Sequence, residues 1–190
     1  MIRTVIVEGP TDQQFVGGML AAQGWSHEDN RGTGESRVAK YRMGREELHL
    51  LYWLKPSGEQ GVLFKAKAEL TRAIAGGAGE LVLVLDDDSD VNGQGPNREA
   101  QFRGLLGSAE WTVAPTSRTG RVGQTGVHLV VWKADIDAEV EKATPGIPKK
   151  QTLERLVCVA LAQLPTGNGA RVAGFLKDEP LPDHSHKHYA

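Results

Sequence analysis

A single cysteine, no marked excess of either charge, few aromatic side chains and no apolar run of membrane-spanning length characterise this sequence, and each scarcity excludes something. Cys158 alone cannot close an internal disulfide. Its setting, Leu156-Val157-Cys158-Val159-Ala160-Leu161, reads as a buried structural thiol in a reducing compartment. The N-terminus enters the strand-like run Thr4-Val5-Ile6-Val7 without a charged-then-apolar signal segment, so the expected location is cytoplasmic, with no membrane partner. Basic residues number 22 against 24 acidic, a formal net charge of −2. That balance advertises no general affinity for nucleic acid, although net charge is silent on a local basic face. Trp25, Trp53, Trp111 and Trp132 are too scattered for a base-stacking platform and read as core or edge packing. No Gly-x-x-x-x-Gly-Lys-Ser/Thr loop occurs, nothing supports a serine or cysteine triad, and no internal repeat is found.

What is present suits one α/β domain. At 190 residues, 39% hydrophobic and 24% charged, the chain can bury a sizeable core. Apolar, β-branched runs predict strands at 4–7, 49–54, 81–85, 111–114 and 127–132. Helical spacing predicts a first helix from about Asp12, capped by Thr11, carrying Phe15, Met19 and Leu20 and stopped by Gly24. A second covers 62–75, with Leu63, Ala66, Leu70 and Ile74 inward and Lys65, Lys67, Glu69 and Arg72 outward, ended by Gly76-Gly77. Further helices are expected at 97–106, with Phe102, Leu105 and Leu106, at 135–141 and at 150–164. Residues 24–45 read as loop, as does the glycine-containing stretch 115–126 with Arg118 and Arg121. Strands alternating with helices imply βαβ units, hence a mainly parallel sheet with helices on both faces. The expected domain is 1–164, followed by a Gly- and Pro-rich tail over 165–190.

The chemistry concentrates where strands end. Leu81-Val82-Leu83-Val84-Leu85 is a continuous apolar run, the pattern of a strand buried on both faces, and four carboxylates follow within five positions in Asp86-Asp87-Asp88-Ser89-Asp90. Like charges so crowded are either solvated or gathered about a hard cation. A second acid, Glu8, follows the first strand in Val5-Ile6-Val7-Glu8-Gly9-Pro10-Thr11-Asp12. If the two strands are parallel neighbours, both clusters open on the carboxyl edge of the sheet, where open α/β sheets bind ligands.

This pair of motifs resembles the Toprim domain shared by topoisomerases, bacterial primases, the ribonuclease that matures 5S RNA and the overcoming-lysogenization-defect nucleases. That family has Glu-Gly after its first strand and Asp-x-Asp after its third. Asp86-Asp87-Asp88 fits the second motif, Asp90 extends it, and Glu8-Gly9-x-x-Asp12 is similar to the primase and small-nuclease form of the first. The resemblance covers residues 3–115. It implies a Toprim-like, Rossmann-like fold and Mg²⁺ or Mn²⁺ held by Asp86 and Asp88 with help from Asp90 and Glu8. It also implies proton transfer by Glu8, with Asp12 in support, on a phosphodiester of DNA or RNA. Topoisomerases and primases need further domains for which 190 residues leave no room, so nuclease remains by subtraction. A glutamate crowded by aspartates is expected to have a raised pKa without metal, as proton transfer requires.

Other readings stay open. Asp88-Ser89-Asp90-Val91-Asn92-Gly93, with Glu99 beyond, satisfies the EF-hand Ca²⁺ loop pattern, but a strand leads in where that motif wants a helix, and Gly95 and Pro96 sit in its second half. Arg118 and Arg121 are candidate phosphate ligands. His184, His186 and His188, with Asp183, could bind a transition metal, and Lys187 could supply a cation if the tail folds back. His49 and His128 read as strand residues, not ligands. A non-catalytic module binding nucleotide, metal or a partner is the alternative to an enzyme, and a protein partner or homo-oligomer stays open.

Overall fold

The structure is a computed structural model and describes residues 2–32, 34–54, 58–75, 79–90, 92–106, 110–113, 118–133 and 150–162. The elements are, in chain order, β1 (Ile2–Ile6), α1 (Pro10–Ala22), β2 (Ser26–Gly32), β3 (Ser36–Met43), β4 (Glu46–Trp53), α2 (Gly58–Ala75), β5 (Glu80–Asp86), α3 (Arg98–Leu106), β6 (Glu110–Val113), β7 (Arg118–Val122), β8 (Thr125–Trp132) and α4 (Leu153–Ala162). The chain divides into two compact units, Met1–Leu85 with Asn97–Val131, and Asp86–Pro96 with Trp132–Ala190. The expected helix at 135–141 and the tail from 165 lie outside the described residues.

The strands form one sheet in the order β2-β3-β4-β1-β5-β8-β7-β6. Its centre is parallel. β1 lies between β4, with Val5 opposite Leu50, and β5, with Ile6 opposite Leu83. β8 follows β5 in the same sense, because bonds run from Gly126 N to Gly79 O at one end and from Asp87 N to Trp132 O at the other. The flanks are antiparallel, β2 on β3, β3 on β4, β6 on β7 and β7 on β8. The fold is therefore α/β with a mixed sheet, and the expectation of a mainly parallel one holds only at the centre.

Two expected loops account for the difference. Residues 26–43 form a hairpin, not a loop. Ala39 and Tyr41 of β3 are buried on alternate positions, but β2 is exposed almost throughout and has no apolar side to betray it. Cross-strand charges join the strands instead, Arg42 to Glu28 and Glu47, and Lys40 to Glu47. Charges and an irregularity at His27/Asp29 blunt this sheet edge. Within 115–126, residues 118–122 are β7. Both β3–β4 and β7–β8 turn through two residues, Gly44-Arg45 and Gly123-Gln124, and the leading glycine takes a positive φ of 60° or 61°, as such hairpin turns require.

The core follows strand alternation. Ile6, Leu51, Trp53, Leu81, Leu83, Leu85, Val127 and Leu129 meet Val62, Ala66 and Leu70 of α2 and Phe102 of α3. Leu81, Leu83 and Leu85 are fully buried, each worth about 1.5–3 kcal/mol. The other face, with Ala39, Tyr41, Leu48 and Leu50, is covered by α1, so helices lie on both faces. α1 starts earlier than expected, because Gly9 is its N-cap and Pro10 opens it, so Thr11 is already helical. Met19 is exposed rather than inward, and Glu69 of α2 is buried rather than outward, bonded to Arg72. Of the side chains expected inward on α2 and α3, nothing is described for Ile74, Leu105 and Leu106. No helix among the described residues is long and apolar enough to cross a membrane.

A Cβ at Gly17 would lie 2.4 Å from the Tyr41 hydroxyl and 3.4 Å from the next ring carbon. In a free helix Gly→Ala gains up to about 1 kcal/mol. Here Gly17→Ala should instead lose about 1–3 kcal/mol by overpacking. Urea denaturation should show the loss, and Gly17→Ala with Tyr41→Phe should recover most of it.

Candidate metal and phosphate site

In the first unit, β1 and β5 are parallel neighbours and leave the sheet by the same edge. Glu8 follows β1 by two residues, and Asp86 is the last residue of β5. Glu8 is buried, and its carbonyl accepts a bond from Gly58 N at 3.1 Å, which ties the end of β1 to the start of α2. Asp12 is also buried, in the first turn of α1, where the positive end of the helix dipole favours a carboxylate. Gln13 beside it donates to Leu50 O at 2.9 Å, fixing α1 on the sheet.

In the second unit the acidic segment is held chiefly by backbone bonds. Asp86 is 3% exposed, and its Oδ1 accepts from Leu153 N at 2.9 Å, the first amide of α4. Asp88 has φ +57°, a conformation that Asp tolerates better than most residues, and its N–H donates to Gln151 O at 2.8 Å. Gln151 N returns a bond to Ser89 O at 2.9 Å. Thr152 caps α4 through Oγ1, which accepts from Arg155 N, so the helix begins at Leu153 and not at Lys150. Residues 151–153 thus clasp 86–89 by three bonds.

The remaining aspartates serve the loop. Asp87 Oδ1 accepts from Ser89 N at 3.1 Å. Strand alternation would turn Asp87 away from its neighbours' face, but the strand ends at Asp86 and the Asp87 side chain closes a turn instead. Asp90 Oδ1 accepts from both Asn92 N and Gln94 N at 2.9 Å, organising the turn that follows. Gly95 completes it, since a Cβ there would lie 2.6 Å from Ser89 Cα.

No protein-family model matches the chain, and no curated protein matches it. Among the described residues no group of three or more His, Cys, Asp and Glu side chains is gathered as a metal cage. Mg²⁺ does not need one. It takes one or two carboxylates and fills its octahedron with water and phosphate oxygens. The four aspartates of the acidic segment offer carboxylate oxygens, which suit such a hard ion. A carboxylate carries about four acceptor positions, so Asp86 can hold Leu153 N and still act as a ligand. Asp86 and Asp88 offer carboxylates that could serve as donors, and Asp90 Oδ1 organises its own turn.

The Ca²⁺ loop fits less well. β5 leads in, and Glu99, its required last ligand, is engaged by Arg103 Nη2 at 2.7 Å and Arg118 Nε at 3.3 Å. Arg118 and Arg121 lie in a strand and, three positions apart, point to opposite faces of it, so they do not form one phosphate clamp. His49 bonds Glu47, holding that carboxylate below its usual range. Cys158 is half-buried, and burial, then the charge of Glu154, push its thiol pKa up, opposite to what a nucleophile needs. His184, His186, His188, Asp183 and Lys187 lie outside the described residues.

Sequence reasoning missed Lys150. It is exposed and immediately precedes Gln151, whose backbone bonds Asp88 and Ser89. Its only signal was a lysine just ahead of a helix cap. Asp90→Ala should cost about 1–3 kcal/mol in chemical denaturation, because two backbone amides lose their acceptor. Asp90→Asn keeps Oδ1 and should preserve both stability and Mn²⁺ affinity. A loss of affinity in Asp90→Asn as large as in Asp88→Asn would return Asp90 to the ligand set.

Proposed function

We propose that this chain is a Mg²⁺- or Mn²⁺-dependent nuclease with a Toprim-like fold, acting on phosphodiester bonds of DNA or RNA. The observation that supports the reading is the parallel register of β1 with β5, Ile6 opposite Leu83, because Glu8-Gly9 follows the first strand in sequence and Asp86-x-Asp88 ends and follows the second. Asp86 and Asp88 are the metal ligands. When bound, the ion polarises the phosphoryl group and stabilises charge on the attacking or leaving oxygen. Glu8 transfers the proton, and its burial keeps competing water away from the carboxyl. Asp12, buried in the first turn of α1, is the supporting acid, and Lys150 attracts substrate phosphates as an exposed cation. The Leu153 amide orients Asp86 by occupying one of its oxygens.

A non-catalytic binding module is the second reading. The pairing of many arginines with acids favours it: Arg3, Arg31, Arg42, Arg98, Arg103 and Arg118 all face carboxylates and make no broad basic platform.

Labelled single- and double-stranded DNA and RNA incubated with Mn²⁺ separate the two. The nuclease reading expects cleavage, reduced about 10²–10⁴-fold by Glu8→Gln and at least as strongly by Asp86→Asn. Absence of cleavage leaves the binding module, and equal cleavage by the variants overturns the nuclease assignment of these residues. Titration calorimetry addresses calcium: Ca²⁺ binding lost in Glu99→Gln but kept in Asp86→Asn would replace the Mg²⁺ reading with the Ca²⁺ loop.

A further inference from the structure

Arg98 opens α3 with a side chain only 3% exposed. A guanidinium does not shed its charge, so burial demands partners that match its planar donors. Its Nη1 lies 2.8 Å from Glu59 Oε2 and donates to Gln101 Oε1 at 3.1 Å. Gln101 Nε2 closes the ring, donating to Glu59 Oε1 at 2.6 Å. Glu59 is the second residue of α2, so the ring fastens the first turn of α2 to that of α3. The residue before it, Gly58, is the one whose N–H binds the carbonyl of Glu8.

We infer that Arg98 is a positioning residue, which through Glu59 and the first turn of α2 holds the Gly58 amide and with it the backbone of Glu8. Its bearing on catalysis rests on the reading of Glu8 as the proton-transfer group. Apolar side chains would join two helices at less electrostatic cost, but without direction. Two directional bonds to Glu59, from Arg98 and from Gln101, fix how the two helix starts are rotated, and the Arg98–Gln101 bond within α3 aligns them. Glu8 stands between a strand and a helix, so its side chain is aimed by whatever holds its backbone. A displacement near 1 Å at a reacting group is worth up to about 10²-fold in rate.

The test uses the full chain with Arg98→Met, Arg98→Lys and Gln101→Met. Removing half of a buried ion pair can unfold a protein, and the last two variants keep the charge pair in place. Two-dimensional NMR reads hydrogen exchange at the Gly58 amide and the carbonyl shift of Glu8, neither of which depends on activity. The inference expects Gly58 to exchange on the order of tenfold faster in each folded variant, with the Glu8 carbonyl shifted and Arg98→Lys closer to wild type than Arg98→Met. On a cleaved nucleic acid, kcat should fall by up to about 10²-fold while KM holds. Unchanged Gly58 exchange and Glu8 shift in folded variants would overturn the inference. If the wild-type chain cuts nothing, the nuclease reading fails, while the exchange data still decide whether Arg98 holds Glu8.

Discussion

The position of β1 between β4 and β5 is the constraint on which the rest of the first unit depends. Val5, Ile6 and Val7 are all buried, so neither face of the strand can be turned to water. A slip of one residue against β5 would exchange the side chains of the two faces and bring Arg3 and Thr4 toward the interior. Arg3 instead pairs with Glu46 and Glu80 at the starts of β4 and β5. With that end pinned and the middle packed on both sides, the opposite ends of β1 and β5 leave the sheet together. The location of Glu8 just beyond β1 is thus a consequence of register, and register is a consequence of burial.

Beyond β5 the controlling forces change from packing to hydrogen bonding. The acidic segment offers few apolar side chains, and its shape is set by backbone groups of 151–153 and by its own carboxylates. Four neighbouring aspartates consequently have different duties. Asp87 and Asp90 hold turns, Asp86 is oriented by the first amide of α4, and Asp88 takes a positive φ. Such backbone strain is sparse in proteins and is tolerated where surrounding contacts dictate it.

What could be read from the sequence follows the same physics. The runs at 4–7, 49–54 and 81–85 were legible because burial leaves apolar letters, and the acids after two of them stood out against those runs. β2 was invisible because an edge strand with both sides wet carries only charges, which read as loop. β7 was hidden for a related reason, since Arg118-Thr119-Gly120-Arg121 alternates no apolar residue. Arg98 was missed because its significance lies in a partner 39 positions away, at Glu59, and Lys150 because the bonds of its neighbour Gln151 to Asp88 and Ser89 span a still longer stretch of sequence. The duties of Asp87 and Asp90 depend on which backbone amides face them, and no side-chain pattern encodes that.

The central claim is that Asp86 and Asp88, and not the turn after them, hold the metal. Anomalous diffraction from crystals of the full chain grown with Mn²⁺ tests it most directly. The account predicts a peak bonded to carboxylate oxygens of Asp86 and Asp88 at inner-sphere distance, about 2.1 Å for an ion of this class. A peak bonded to Asp90 and Glu99, or none at saturating Mn²⁺, would contradict it.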